Sequence, residues 1–216
     1  MLSFEKCEKL FLDFDGVIVD SNKFKEIAIE KSIFKVLGEN QKNRNAVKFF
    51  NINAGIAREK KLSTFFKSDE VYKIMKTYSE QCQKFFLEAP PTTCLDQFLL
   101  LIKEKHKSTK IYILSGGEKE EIYLFLKKNS LIQFFEDILA SDKNKIEHLL
   151  EKHVSKNDIF IGDSQNDLKA SKEAGLKFIL FGQFKSLESF PSKKLINENN
   201  LYKTENFETL IKESQL

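Results

Sequence analysis

The sequence predicts an α/β fold, and three observations carry that prediction. Four short β-rich runs recur along the chain, segments of helical periodicity separate them, and three of the four runs end in polar residues. The runs cover 9–14, 110–114, 158–161 and 177–181, with a weaker strand expected over 135–139. Their unbroken apolar character fits a mainly parallel sheet covered by helices on both faces.

The first run, Leu10-Phe11-Leu12-Asp13-Phe14-Asp15-Gly16, stops abruptly at two carboxylates. Side chains at i and i+2 of a strand share a side, so Asp13 and Asp15 are expected together with Phe14 facing away. Carboxylates held that close repel each other and are costly to desolvate, which calls for a cation or a proton. A hard divalent ion such as Mg²⁺ suits oxygen donors.

About 95 residues separate the first two runs, far more than one crossover helix needs, and this segment reads as several helices. Ser21 is expected to cap a helix that ends at Leu37 before Gly38, and further helical patterns cover 44–50, 57–66 and 69–86. Ala89-Pro90-Pro91 breaks the pattern, after which Thr93 and Asp96 form a plausible capping box for a helix over 94–105. The expected division is a core of residues 1–20 and 90–216 with a helical insert of residues 21–89. The stretch 183–206 is polar and reads as a surface excursion. The amphipathic turns over 207–213 can dock by Phe207, Leu210 and Ile211.

Composition narrows the function classes. With 35 basic and 32 acidic residues the net charge is only +3, which leaves no electrostatic footprint for nucleic acid. Phe98 to Ile102, the longest apolar run, is too short to cross a bilayer, and the first residues lack the basic-then-apolar pattern of a secretory signal. The expectation is a cytoplasmic protein with neither a membrane nor a nucleic-acid partner. Cys7, Cys82 and Cys94 read as buried or free thiols. His106, His148 and His153 fall in charged, surface-like helices and are assigned no chemistry.

Two other strand ends resemble the first: Leu114-Ser115-Gly116-Gly117 and Ile161-Gly162-Asp163-Ser164. Ligands of open parallel sheets bind outside the carboxyl ends of the strands, so these residues are expected to converge there. Ser115 offers a hydroxyl, and the Gly116-Gly117 turn leads to a helix start at Glu118 whose free N–H groups favour phosphate. A purely structural Ser-Gly-Gly turn is the plainer alternative. Asp163 and Asp167 offer more carboxylate for a metal, though Asp167 also suits a helix N-terminus. Lys145 can neutralise a phosphoryl oxygen and the crowded acids, with Lys143 as its competitor.

The ordered set DFDGV, Ser115, a lysine and GDSQND resembles the haloacid dehalogenase superfamily, in particular its phosphatase branch with a helical cap inserted after the first motif. Phosphoglycolate phosphatase and β-phosphoglucomutase are of this type. The resemblance runs from Leu10 to about Phe181 and implies a Rossmann-like doubly wound parallel sheet as core with an inserted α-helical cap domain.

It further implies Asp13 as the nucleophile that forms an aspartyl-phosphate and Asp15 as general acid and base. Mg²⁺ would be held by the Asp13 carboxylate, the Asp15 backbone carbonyl and Asp163, with Asp167 an outer orienter. Ser115, the Gly116 N–H and Lys145 would hold phosphoryl oxygens. The segment Asn53-Ala54-Gly55-Ile56-Ala57-Arg58 looks like the cap loop that faces the site in relatives. Arg58 is then either a contact for an anionic substrate or a solvated helix-start arginine.

The expected activity is Mg²⁺-dependent hydrolysis of a small phosphorylated metabolite by a monomer or homodimer. A phosphoglucomutase-like transferase, a phospho-accepting signalling domain and a catalytically silent binding protein are the alternatives. Retention of Asp15 argues against a dehalogenase.

Overall fold

The computed structural model describes residues 2–53, 56–182, 200–214 and 216. Six parallel strands form one sheet: β1 (Lys9–Leu12), β2 (Lys110–Leu114), β3 (Asp137–Leu139), β4 (Ile159–Gly162), β5 (Lys177–Phe181) and β6 (Leu201–Thr204). Their spatial order is β3-β2-β1-β4-β5-β6. The helices are α1 (Asn22–Leu37), α2 (Gln41–Ile52), α3 (Arg58–Leu62), α4 (Ser68–Glu88), α5 (Leu95–Lys105), α6 (Lys119–Lys128), α7 (Lys145–Glu151), α8 (Gln165–Ala174) and α9 (Phe207–Ser214).

Strand alternation divides the apolar residues between two cores. Leu10, Leu12, Ile111, Ile113, Ile159 and Ile161 join one cluster with Phe98 of α5, Phe125 of α6 and Phe207 of α9. Phe11, Tyr112, Leu114, Phe160 and Phe178 join the other with Leu149 of α7 and Leu168 of α8. Helices therefore cover both faces, and the continuous apolar runs follow from that double burial. Leu12 is in register with Ile113 on one side and Ile161 on the other. The chain winds outward from β1 to β3, then crosses to β4, so the winding reverses between β1 and β4. That reversal is where doubly wound sheets open a crevice.

Helices α1 to α4 are inserted between β1 and α5. Within this segment α1 packs on α2 and α4, and α4 also reaches α6. Phe14, the residue between the two acids, is fully buried against Phe86 of α4 and Phe125 of α6, at 5.3 Å between ring centroids in both cases. The loop that carries Asp13 and Asp15 is thus anchored by an aromatic contact on the far side from the acids.

Several local expectations are corrected. β1 ends at Leu12 and β4 begins at Ile159, so Asp13 to Gly16 form a loop beyond the strand. Ser21 occupies the N-cap of α1 but makes no side-chain cap bond, because its hydroxyl goes to Asp15. Thr93 does not cap α5; the N-cap is Cys94 in a left-handed conformation at φ 62°. α3 is shorter than the expected 57–66. His148 is buried, with Nε2 2.9 Å from the Ala140 carbonyl. β6 lies inside the stretch read as an excursion, since an edge strand only partly buried shows no apolar run; residues 183–199 of that stretch fall outside the described residues. Among the described residues no helix is long and apolar enough to cross a membrane.

Candidate active site

Asp13, Ser115 and Asp163 follow directly on the carboxyl ends of the adjacent strands β1, β2 and β4. The Asp13 N–H donates to the Ile161 carbonyl at 2.9 Å, which keeps β1 paired to its very end. The Asp13 Oδ1 accepts from the Phe14 N–H at 2.8 Å and lies 2.9 Å from Lys145 Nζ. Lys145, at the start of α7, also meets Asp167 Oδ1 at 2.5 Å. Lys143 turns to Glu151 at 2.6 Å on the exposed side, so Lys145 is the lysine that reaches the acids.

Carboxylate oxygens of Asp13, Asp163 and Asp167 all lie within 4.8 Å of one another. Burial, with Asp167 next in weight, pushes the Asp13 carboxyl well above its usual range against the pull of Lys145. Burial and Asp167 likewise push Asp163 up to about 7, opposed by the bond from Asn22. Lys145 is held protonated by Asp13 and Asp167 in spite of its burial. One ammonium faces three carboxylates, and that surplus of negative charge on an all-oxygen donor set fits a hard divalent cation. Asp167 already spends Oδ2 on the Ser164 N–H at 3.0 Å and hydroxyl at 2.7 Å, and Oδ1 on Lys145, which leaves Asp13 and Asp163 the freer donors.

Two glycines make room for this cluster. Gly16 has φ +79°, and a Cβ there would collide with the Asp163 carboxylate and the Asn22 amide. A Cβ on Gly162 would come within 2.6 Å of the Asp167 Cβ. Asn22, the first residue of α1, donates through Nδ2 to Asp163 Oδ2 at 2.6 Å and so ties the inserted helices to the acid cluster.

Asp15 has a different environment. Ser21 donates to its Oδ1 and Lys25 to its Oδ2, both from the start of the inserted segment. Burial raises the Asp15 carboxyl, but the Lys25 ammonium and the Ser21 hydroxyl outweigh it and hold the group below its ordinary value. The two acids, two residues apart, are thereby pushed in opposite directions.

Just beyond β2 the buried Ser115 hydroxyl accepts from the Gly117 N–H at 3.0 Å, closing the turn that enters α6. Arg58 sits beside this turn, since a Cβ on Gly117 would be 3.8 Å from its Nη2. It is buried over the Tyr78 ring at 4.9 Å, and its fork meets Glu121 of α6 with Nη1–Oε1 3.1 Å and Nη2–Oε2 2.8 Å. Ala54 and Gly55 of the loop before it lie outside the described residues.

Sequence reasoning placed Asp13, Asp163, Asp167, Ser115 and Lys145 at one sheet edge, and the structure brings them together. It missed Ser21, Asn22, Lys25 and Glu121. Their faint signal is one of position: the first three open the helix that must start within reach of the acids.

Comparison with known proteins adds a family. The model for haloacid dehalogenase-like hydrolases matches residues 10–181. Comparison with curated proteins gives no match. Among solved structures, a haloacid dehalogenase-like family hydrolase from Streptococcus pneumoniae superposes with TM-score 0.66 at 19% identity, over 96% of this chain and 99% of that one. A predicted phosphoglycolate phosphatase from Haemophilus somnus gives 0.70 at 14% identity, over 95% and 97%. The β-phosphoglucomutase of Clostridium difficile gives 0.68 at 19% identity, over 84% and 87%. At these identities the structural likeness is one of fold, and it is the family match, spanning the strand-end acids, Ser115 and Lys145, that makes this chain a member of the haloacid dehalogenase-like hydrolases.

Proposed function

We propose that the protein is a Mg²⁺-dependent phosphomonoester hydrolase acting on a small phosphorylated metabolite. The observation that carries this reading is the contact of Asp13 with Lys145 at 2.9 Å, beside Asp163 and next to the Ser115 turn. A nucleophile, a cation for phosphoryl oxygens and the turn into a helix N-terminus then follow the carboxyl ends of neighbouring strands.

In the first half-reaction an Asp13 carboxylate oxygen attacks phosphorus, the ester P–O bond breaks, and Asp15 gives its proton to the departing alcohol oxygen. In the second, Asp15 takes a proton from water, the resulting oxygen attacks phosphorus, and the Asp13 carboxylate is released. The Ser115 hydroxyl, the Gly116 N–H and Lys145 hold the phosphoryl oxygens throughout. The Asp13 carboxylate, the Asp15 carbonyl and Asp163 would hold Mg²⁺, with Asp167 orienting from outside. When bound, the ion offsets charge on the phosphoryl group and favours ionised Asp13. Lys25 and Ser21 hold the Asp15 carboxyl below its ordinary value and so favour the ionised form, the one the second half-reaction needs.

Residues 21–89 serve in this reading as a cap over the core of residues 1–20 and 90–216, closing on the leaving group and excluding water. The links from Asn22 to Asp163 and from Arg58 to Glu121 support it. The cytoplasm is the compartment proposed, in keeping with the free Cys7, Cys82 and Cys94, and the working unit proposed is a monomer or homodimer with no nucleic-acid or membrane partner.

The test is phosphate release from a panel of phosphorylated metabolites, with Mg²⁺ and with chelator. Net release without isomerisation separates a phosphatase from a mutase. Wild-type protein that releases no phosphate from any ester would defeat the reading.

A further inference from the structure

Lys145 reaches Asp13 from a distant strand. It opens α7, the helix that follows β3, and β3 lies two strands from β1, about 10 Å away at the usual strand spacing. Residues 139–144 bring the chain back across the end of β2, and they meet the Ser115 turn twice on the way. The Leu139 carbonyl accepts from the Ser115 N–H at 2.9 Å, and the Ser141 N–H donates to the Gly117 carbonyl at 3.2 Å. One short segment thus connects the two parts assigned to phosphoryl oxygens, the Ser115 turn and Lys145.

A buried imidazole ties that segment to α7. His148 lies one turn beyond Lys145, so the two share a face of the helix, and both are buried. Its Nε2 is 2.9 Å from the Ala140 carbonyl and 3.4 Å from Asp142 Oδ1. Both neighbours only accept, so Nε2 carries the hydrogen. The side chain thereby closes a ring over residues 140–148, with Lys145 inside it. The next residue, Leu149, is fully buried with Phe160 and Leu168, which already docks α7 by apolar packing. Packing alone would be served by a hydrophobic group at position 148; a buried imidazole costs desolvation that only its bonds offset.

We propose that His148 is a positioning residue of the phosphoryl site, whose bond to the Ala140 carbonyl sets the separation between Lys145 and the Ser115 turn. The inference rests on the hydrolase reading above. In this role His148 acts through Lys145 and touches no reacting atom. Without the bond the Ala140 carbonyl is left buried and unpaired, and the segment and α7 are free to move apart, which carries Lys145 away from the oxygens it is to hold.

The experiment measures kcat/KM for phosphate release and, by calorimetry, the affinity of the Mg²⁺-loaded protein for orthophosphate. His148→Leu, which keeps the apolar packing and removes the donor, should lower both by about tenfold or more, since small misplacements of a positioned group carry losses of that order. His148→Gln, whose amide nitrogen has nearly the reach of Nε2, should recover most of the loss. In a Lys145→Met background His148→Leu should cost little more, because the group it places is gone. A merely structural histidine would lower the melting temperature of both backgrounds alike and leave the phosphate affinity of the folded protein where it was. Unchanged affinity and kcat/KM in folded His148→Leu overturn the inference, and so does an equal further loss in the Lys145→Met background. If His148→Leu does not fold, His148→Asn, whose amide stops short of the Ala140 carbonyl, is read in its place. Turnover indifferent to the donor at position 148 defeats this inference alone; absence of turnover on every ester defeats the hydrolase reading and this inference with it.

Discussion

Arg58 and Glu121 form a bidentate ion pair, 2.8 and 3.1 Å, with both side chains at most 5% exposed, across the contact between α3 and α6. Neither charge has water to fall back on. Removing one partner strands the other, which typically costs about 3–5 kcal/mol, whereas replacing both by apolar groups is often neutral. Glu121→Gln should therefore lower the urea midpoint by an amount equivalent to about 3 kcal/mol or more. The double variant Arg58→Met with Glu121→Leu should regain most of it. Equal losses in the single and double variants would show that the pair contributes packing and not charge compensation.

The Asn22 amide is the only bond from the inserted helices to Asp163 among the described residues, and it opposes the rise of that carboxyl. Bonds that orient a metal-binding carboxylate commonly tune affinity by about 10–100-fold. Asn22→Ala should weaken Mg²⁺ binding by at least about tenfold in calorimetry. Gly16→Ala, which pushes a Cβ into the same carboxylate, should weaken it further. Unaltered Mg²⁺ affinity in both would place the ion elsewhere.

Much of this arrangement was legible in the chain, and the part that was not has a physical reason. Asp13, Ser115 and Asp163 stand out because each ends an apolar run, and a run buried on both faces announces its own strand. The sequence offers two candidates for this lysine, and the choice needs three dimensions: Lys143, in the bend before α7, turns to Glu151, whereas Lys145, in the first turn of α7, reaches the acids. Ser21 illustrates the opposite case. A serine before a helix reads as a cap, yet its hydroxyl prefers Asp15, and nothing local reveals an acceptor six residues upstream. Glu121 is invisible for the same reason. In a chain with 35 basic and 32 acidic residues, a charge that will be buried by distant elements looks like any other.

The acid cluster also sets a pH dependence. Asp163 titrates near 4 in an unfolded chain and at about 7 here, so between those values the folded state holds a proton the unfolded state lacks. Stability without metal should then fall as pH rises from about 4 to about 7, and the raised Asp13 acts in the same direction. Lys61, lowered to about 7, contributes only above that range, where its effect has the opposite sign. With chelator, the melting temperature at about pH 5 should exceed that at about pH 7 by at least about 3 °C. Mg²⁺ should raise the value at the higher pH more than at the lower, because fewer protons compete with it there for the Asp163 carboxylate. An equal Mg²⁺ effect at both pH values would separate the cation site from these carboxyls.

Asp13→Asn separates chemistry from stability. The amide cannot attack phosphorus as a carboxylate does, so kcat should drop by at least about a thousandfold. The substitution also replaces a carboxyl whose ionised form is disfavoured by burial, Asp167 and Asp163, while Lys145 keeps Asp167 at 2.5 Å as its partner. Without metal, the variant should therefore melt no lower than wild type at neutral pH and gain about 1 kcal/mol or more. This is the pattern of a side chain kept for its reactivity at a cost in stability. Thermal denaturation in chelator, read beside phosphate release, checks both halves. An inactive variant that is also destabilised by several kcal/mol would mean that Asp13 holds the loop together, and that loss of activity says little about attack on phosphorus.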